Sequence, residues 1–197
     1  MNENNITKTG ANTAGINKMR TIDLVMTGMF TAIICVMAVI TIPTQPIPFT
    51  LSLFAIFLTG ALLSPRYAFL ATLAYLLIGA SGVPVFANMK GGIQVLTGMT
   101  GGYLMAYPVM AFVTSIFYKY IKKYKLVALS CGMVISLILC YLIGTLWFTH
   151  VSGTDFSAAL KLCVYPYIPF DLLKIVLAIS ISTVIRKTVM ANIGLNQ

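Results

Sequence analysis

The chain has 197 residues, of which 59% are hydrophobic and only 9% charged, and its mean hydropathy is +0.94. Soluble globular domains carry about 25% charged residues, so this composition excludes a water-soluble core and points to one bundle of membrane helices, with no length left for a separate soluble domain. The formal net charge of +9 does not describe a nucleic-acid surface, because the basic residues stand at the ends of apolar runs, where topology determinants belong.

In chain order, residues 1–21 are polar and rich in Asn and Thr, and read as a disordered cytoplasmic lead. The apolar run that follows is too long for a signal-peptide core and is followed by no small-residue cleavage site, so no cleavage is expected. Six apolar segments then appear, at about Ile22–Ile42, Phe49–Leu63, Tyr67–Ala80, Tyr103–Tyr118, Leu126–Phe148 and Phe170–Ile185. A full span needs about 20 apolar residues, so the second, third and fourth are short and need their flanks to cross. The expectation is an all-α integral membrane protein with six transmembrane helices over residues 22–188 and a cytoplasmic tail over 189–197.

Charge sets the orientation. Lys8, Lys18, Arg20, Arg66, Lys119, Lys122, Lys123, Lys125, Arg186 and Lys187 fall on one side of a six-helix arrangement, against Lys90, Lys161 and Lys174 on the other. The bias of Lys and Arg toward the inside places both termini in the cytoplasm. Three connections on the outer side are unusual. Thr41–Pro48 holds three prolines and reads as stiff and extended. Ser81–Gly102 mixes six glycines with Val83, Val85, Phe86, Ile93 and Leu96, too apolar for an exposed loop, and irregular backbone at this depth is tolerated where protein buries it or where it lines a cavity. The third, His150–Pro169, contains Phe156–Val164, which reads as a short surface helix.

Asp171 and Lys174 head the last apolar run. Three helical positions are a rotation of about 300°, so the two charges share nearly one face. One reading is a self-neutralising ion pair. The other is a ligand site offering an anionic acceptor and a cationic donor, since an ionised group in the bilayer centre costs roughly 2.5–3.5 kcal/mol and is retained for a reason. Asn88 in the Gly-rich loop either caps a turn or joins that site. On the first segment, Gly28 and Ala32 make a small-xxx-small step that admits close helix approach, within the bundle or from outside.

Catalytic and energising motifs are missing from the sequence. There is no GxxxxGK[ST] phosphate loop, no HExxH or GxSxG, and His150 stands alone. Cys35, Cys131, Cys140 and Cys163 form no CxxC pair and read as small packing residues, with neither a metal site nor a disulfide framework.

Three stretches resemble one family. Gly82-Val-Pro-Val-Phe-Ala-Asn88, Gly91-Gly92 and Gly98-Met-Thr-Gly-Gly-Tyr-Leu104 are similar to the signature loop of the BioY family, the biotin-specific S components of energy-coupling factor (ECF) transporters. Pro46-Ile-Pro-Phe-Thr-Leu51 and Pro169-Phe-Asp-Leu-Leu-Lys174 resemble its first-loop and last-helix motifs, and the likeness runs over roughly residues 20–190 in the family's order. Met99 stands where the family usually has Pro, which bears on a turn, and Ser52 where Gln is common, which bears on a polar contact.

The resemblance implies the S-component fold in a prokaryotic cell membrane, with biotin captured at the outer face. ATP would be used by two partner ATPase subunits docked through a membrane scaffold (T) subunit; the chain itself would be no enzyme and would carry no cofactor. It implies Asn88, Asp171 and Lys174 as polar ligand groups for the ureido ring of biotin. Phe86, Tyr103, Tyr141 and Tyr165 would be apolar walls, with Gly91, Gly92, Thr100, Gly101 and Gly102 completing the site and Gly28 and Ala32 docking the scaffold. The Pro-rich segment and the Gly-rich loop would close over the ligand. The alternatives are a stand-alone secondary carrier for a small polar vitamin-like solute, which would need ion coupling or facilitated diffusion, and an integral membrane enzyme, which the missing motifs disfavour.

Overall fold

A computed structural model describes residues 21–121 and 124–190. The expected N-terminal lead with Lys8, Lys18 and Arg20, the loop lysines Lys122 and Lys123, and nearly all of the expected tail lie outside the described residues. The described chain is mostly helical: α1 (Thr21–Val39), α2 (Ser52–Leu62), α3 (Pro65–Ala80), α4 (Ile93–Thr97), α5 (Gly101–Tyr120), α6 (Lys125–Ser152), α7 (Phe156–Cys163) and α8 (Ile168–Ile185), which runs on into a wider turn, Arg186–Met190. Each of the six expected apolar segments falls on a helix. By length and composition α1, α5, α6 and α8 with its extension can cross a membrane, while α2 and α3 have 11 and 16 residues.

The first two segments differ from expectation at their shared edge. Helix α1 stops at Val39, and Thr41–Ile42 (β1) pairs antiparallel with Phe49–Thr50 (β2), Thr41 opposite Thr50 and Ile42 opposite Phe49. The cause is local. Thr41 Oγ1 donates to the Ala38 and Val39 carbonyls, each at 3.0 Å, and so closes the helix end. Pro43, Pro46 and Pro48 follow, and proline lacks the N–H a helix interior needs.

Helix α2 is the buried centre. Nearly all of its residues are shielded, including Ala55, Ile56, Phe57, Thr59 and Ala61. A β-carbon at Gly60 would stand 2.8 Å from the Ala111 carbonyl oxygen and from Thr114 Cβ, so its absence lets α2 press against α5. Lipid gives little hydrophobic drive between helices, so close packing and interhelical hydrogen bonds carry association. Such bonds join Thr114 to Ser136 (3.0 Å, α5 to α6), Thr31 Oγ1 to the Ala71 carbonyl (3.0 Å, α1 to α3) and Tyr103 to Thr145 (3.1 Å).

The last carbonyls of a helix have no partner within it. At the end of α2, Ser115 Oγ donates to the Leu63 carbonyl at 2.6 Å. Arg186 donates to the Ala61 carbonyl through Nε at 2.8 Å and through Nη2, with its guanidinium 3.9 Å from the centroid of the Tyr118 ring. The expected surface helix is α7, capped by Asp155, whose carboxylate accepts from the Ser157 hydroxyl (2.6 Å) and N–H (3.0 Å). Those two bonds hold the exposed Asp155 carboxyl below its ordinary range.

Candidate functional site

The ends of α1 and α3 and the starts of α2, α5 and α8 meet at one end of the bundle, opposite Arg186. The chain there cannot stay helical. Gly82 and Gly92 take φ of +103° and +95°, open to glycine. Asn88 and Met89 also take positive φ, 57° and 54°, in a turn closed by the Phe86 N–H to the Lys90 carbonyl at 2.9 Å. A non-Gly residue held at such φ costs on the order of 1–3 kcal/mol and persists where its surroundings over-determine it.

This loop, the Pro43–Pro48 segment and the helix ends enclose a cavity of about 670 Å³, within the usual span of about 300–1,000 Å³ for ligand sites. Among the expected residues, Phe86, Asn88, Gly91, Thr100 and Tyr103 line it. Phe86 is wholly buried and meets Tyr75 edge-on at 5.5 Å between ring centroids.

Asp171, Lys174 and Tyr141 line a second, narrower cleft of about 50 Å³. The two voids share Ile47, Pro48, Thr50, Tyr103 and Tyr107 in their walls. Asp171 and Lys174 are 2% and 5% exposed. Lys174 Nζ donates to Asp171 Oδ1 at 2.8 Å and lies 3.9 Å from the centroid of the Phe49 ring, and the Tyr141 hydroxyl donates to Asp171 Oδ2 at 2.6 Å. The self-paired reading is thus correct as geometry, but it does not exhaust the groups. An ammonium has three donors and a carboxylate about four acceptor positions, and here one and two are taken. Tyr141 is a hydrogen-bond partner of the pair as well as an apolar wall.

The other expected residues are not brought to these voids. Gly92 lies just behind the wall, its N–H on the Gly79 carbonyl at 2.7 Å. Gly101 and Gly102 are buried in the first turn of α5, where side chains would strike the Leu96 backbone and Trp147. Tyr165 is exposed and lines neither void. Its N–H bonds back to the Leu160 carbonyl, so it continues the turn of α7, whereas Tyr167 accepts the Asp171 N–H and starts α8. Tyr167 therefore lies one turn before Asp171, and its hydroxyl reaches the Ile47 carbonyl and, at 3.2 Å, the Thr44 hydroxyl. The spacing 167, 171, 174 was the signal for this residue. Thr50 and Tyr107 were also missed, and Ser52 was noted only as a departure from the family motif: Ser52 Oγ lies 2.5 Å from Thr50 Oγ1 and 3.0 Å from the Tyr107 hydroxyl. Gly28 and Ala32 are exposed on α1, and a β-carbon at Gly28 would meet nothing within 4 Å.

The sequence model described as BioY family matches residues 9–191. The chain belongs to the BioY family. A relative from Thermotoga maritima named "Biotin transporter BioY" is 40% identical over 167 residues, covering 83% of this chain and 95% of that protein. A BioY relative from Pyrococcus horikoshii, "Probable biotin transporter BioY", is 35% identical over 164 residues, covering 83% and 96%. Among solved structures, the crystal structure titled as the S-component for biotin from an ECF-type ABC transporter is similar with a TM-score of 0.78 and 25% identity, covering 89% of this chain and 96% of that one. The BioY membership and this likeness agree on an S-component fold.

Proposed function

We propose that this chain is the biotin-binding S component of an ECF-type importer, taking up biotin at the outer face of a prokaryotic cell membrane. The observation that carries the reading is the juxtaposition of a cavity of about 670 Å³ with the buried Asp171–Lys174 pair, behind a shared wall of Thr50, Tyr103 and Tyr107. The ureido ring of biotin presents two N–H donors and one carbonyl acceptor. Asp171 accepts, Lys174 donates and the Asn88 amide does both. Phe86, Tyr75 and Tyr103 hold the thiophane ring, with Gly91 and Thr100 in the wall, while Gly92, Gly101 and Gly102 act by shaping the loop and the start of α5.

In this reading α2 and α3 also cross the membrane, giving six spans over residues 22–188. Both termini, residues 1–21 and 189–197, are cytoplasmic, and the cavity faces outward. A membrane scaffold subunit docks on the Gly28/Ala32 face of α1, and two ATPase subunits hydrolyse the ATP. The chain binds no resident cofactor. Equilibrium titration of labelled biotin into the purified chain tests the reading: saturable, stoichiometric binding is expected, and no binding refutes it. ATP-dependent uptake in vesicles that also hold the partner subunits separates the coupled importer from a stand-alone carrier.

A further inference from the structure

The large cavity has a charge that its polar neighbours do not balance. Among the described residues lining it, Lys90 alone is charged; the rest of its polar wall is hydroxyls, amides and backbone. Of the chain's four acids, the three among the described residues stand elsewhere. Asp171 is held by Lys174 and Tyr141, and Asp155 by Ser157. Asp23 is in the first turn of α1, whereas the Asn88 turn lies against Thr41 beyond the other end of that helix; the sixteen positions from Asp23 to Val39 span about 24 Å. Glu3 lies outside the described residues. The one salt bridge among the described residues is Lys174–Asp171.

The backbone fixes where this cation stands. The Phe86 N–H bonds to the Lys90 carbonyl at 2.9 Å, the Lys90 N–H reaches the Ala87 carbonyl at 3.3 Å, and the intervening Asn88 and Met89 hold positive φ. The turn therefore brings two residues to one cavity wall, Asn88 with its amide side chain and Lys90 with its ammonium. A neutral ligand would leave that ammonium to water alone, whereas one with a carboxylate at the end opposite its urea could pair with it.

We propose that Lys90 is the carboxylate-recognition residue of the cavity, so that the site selects a ureido ligand bearing a free carboxylate over its neutral ester and amide derivatives. This inference rests on the biotin reading above. Lys90 is exposed, so its contact is weaker than a desolvated one and stronger than a bare surface pair, which sets its expected contribution at roughly tenfold in affinity.

The test is a competition titration of biotin, its methyl ester and its primary amide on the purified chain and on Lys90→Gln and Lys90→Arg. The parent should prefer biotin over both neutral derivatives by about tenfold. Lys90→Gln should lose about tenfold in biotin affinity, change little toward the ester and amide, and so erase the preference; Lys90→Arg should keep it. Thermal unfolding of the variants should match the parent, since the side chain is not part of the core. An unchanged acid-to-amide preference in Lys90→Gln overturns the Lys90 assignment alone. Failure of the parent chain to bind any of the three compounds overturns both this inference and the biotin reading.

Discussion

Replacing Asp171 by Asn keeps the shape of the side chain and removes its charge. Lys174 then remains 5% exposed with the Phe49 ring, 3.9 Å from its ammonium, as its main compensation. Breaking a buried pair from one side costs about 3–5 kcal/mol. That ring contact is present before and after the substitution, so it adds nothing to the difference, and the Asn carbonyl can still accept from the Tyr141 hydroxyl. The net loss is about 3–5 kcal/mol, which at roughly 2–4 °C per kcal/mol for a chain of this size lowers the unfolding midpoint by roughly 6–20 °C. Ligand affinity falls for a separate reason. Truncating one partner of a buried charged contact costs about 2–5 kcal/mol, a factor of roughly 30 to 5,000. Stability and binding part company in the double variant Asp171→Asn/Lys174→Met. Removing both charges restores most of the stability, because an apolar replacement of a buried pair is commonly neutral or better, yet biotin affinity should stay low. Thermal unfolding in detergent and labelled-biotin titration read the two quantities on the same preparations. A double variant that regains both would show that the pair is structural only and would remove it from the site.

Gly28→Trp or Ala32→Trp should abolish ATP-driven uptake and co-purification with the scaffold subunit while leaving biotin binding intact, since both positions are exposed at a distance from the cavity wall; loss of biotin binding as well would mean that this step packs inside the bundle. Arg186→Ala should lower stability by about 2–3 kcal/mol without changing biotin affinity, because the Ala61 carbonyl loses a charged donor and the Tyr118 ring the nearer of its two cations. Arg186→Lys should recover only part of this, as a point charge cannot replace the two-pronged donor; an Arg186→Ala midpoint equal to the parent's would refute the capping role.

What the sequence showed well is what depends on long runs of one physical property. Six apolar segments became helices, and the Gly-rich loop was recognised as irregular because it is too apolar to be exposed and too rich in glycine to be helical. Asp171 and Lys174 were legible because charge is scarce. The hydroxyl groups were not. Thr50, Ser52 and Tyr107 meet from two segments, Ser52 and Tyr107 across 55 positions, and Ser, Thr and Tyr are ordinary in membrane helices, so nothing in composition marks these three. Tyr165 and Tyr167 differ only in which helix their backbone bonds join, and that is decided by the turn between α7 and α8 and not by residue type. The end of α1 was set by a single threonine hydroxyl closing on two carbonyls, a local contact that an apolar count runs through.

The two departures from the family's usual motif show how such contacts absorb a substitution. Met99 occupies a place where proline would fix the turn by covalent restraint. Here the turn is held through the carbonyl of the preceding residue: the Gly98 carbonyl accepts the Gly101 N–H at 3.0 Å and the Trp147 indole N–H at 2.9 Å. Neither bond needs a proline at position 99, and Met99 stands half-exposed on the cavity wall as a flexible apolar side chain. Ser52 is shorter than the common glutamine and cannot reach across the cavity, but its hydroxyl bridges Thr50 and Tyr107. That bridge ties the strand Phe49–Thr50 to the start of α2 and to α5, in the wall shared by the two voids. Position 52 in this chain thus contributes a hydroxyl that fastens the partition between the two voids.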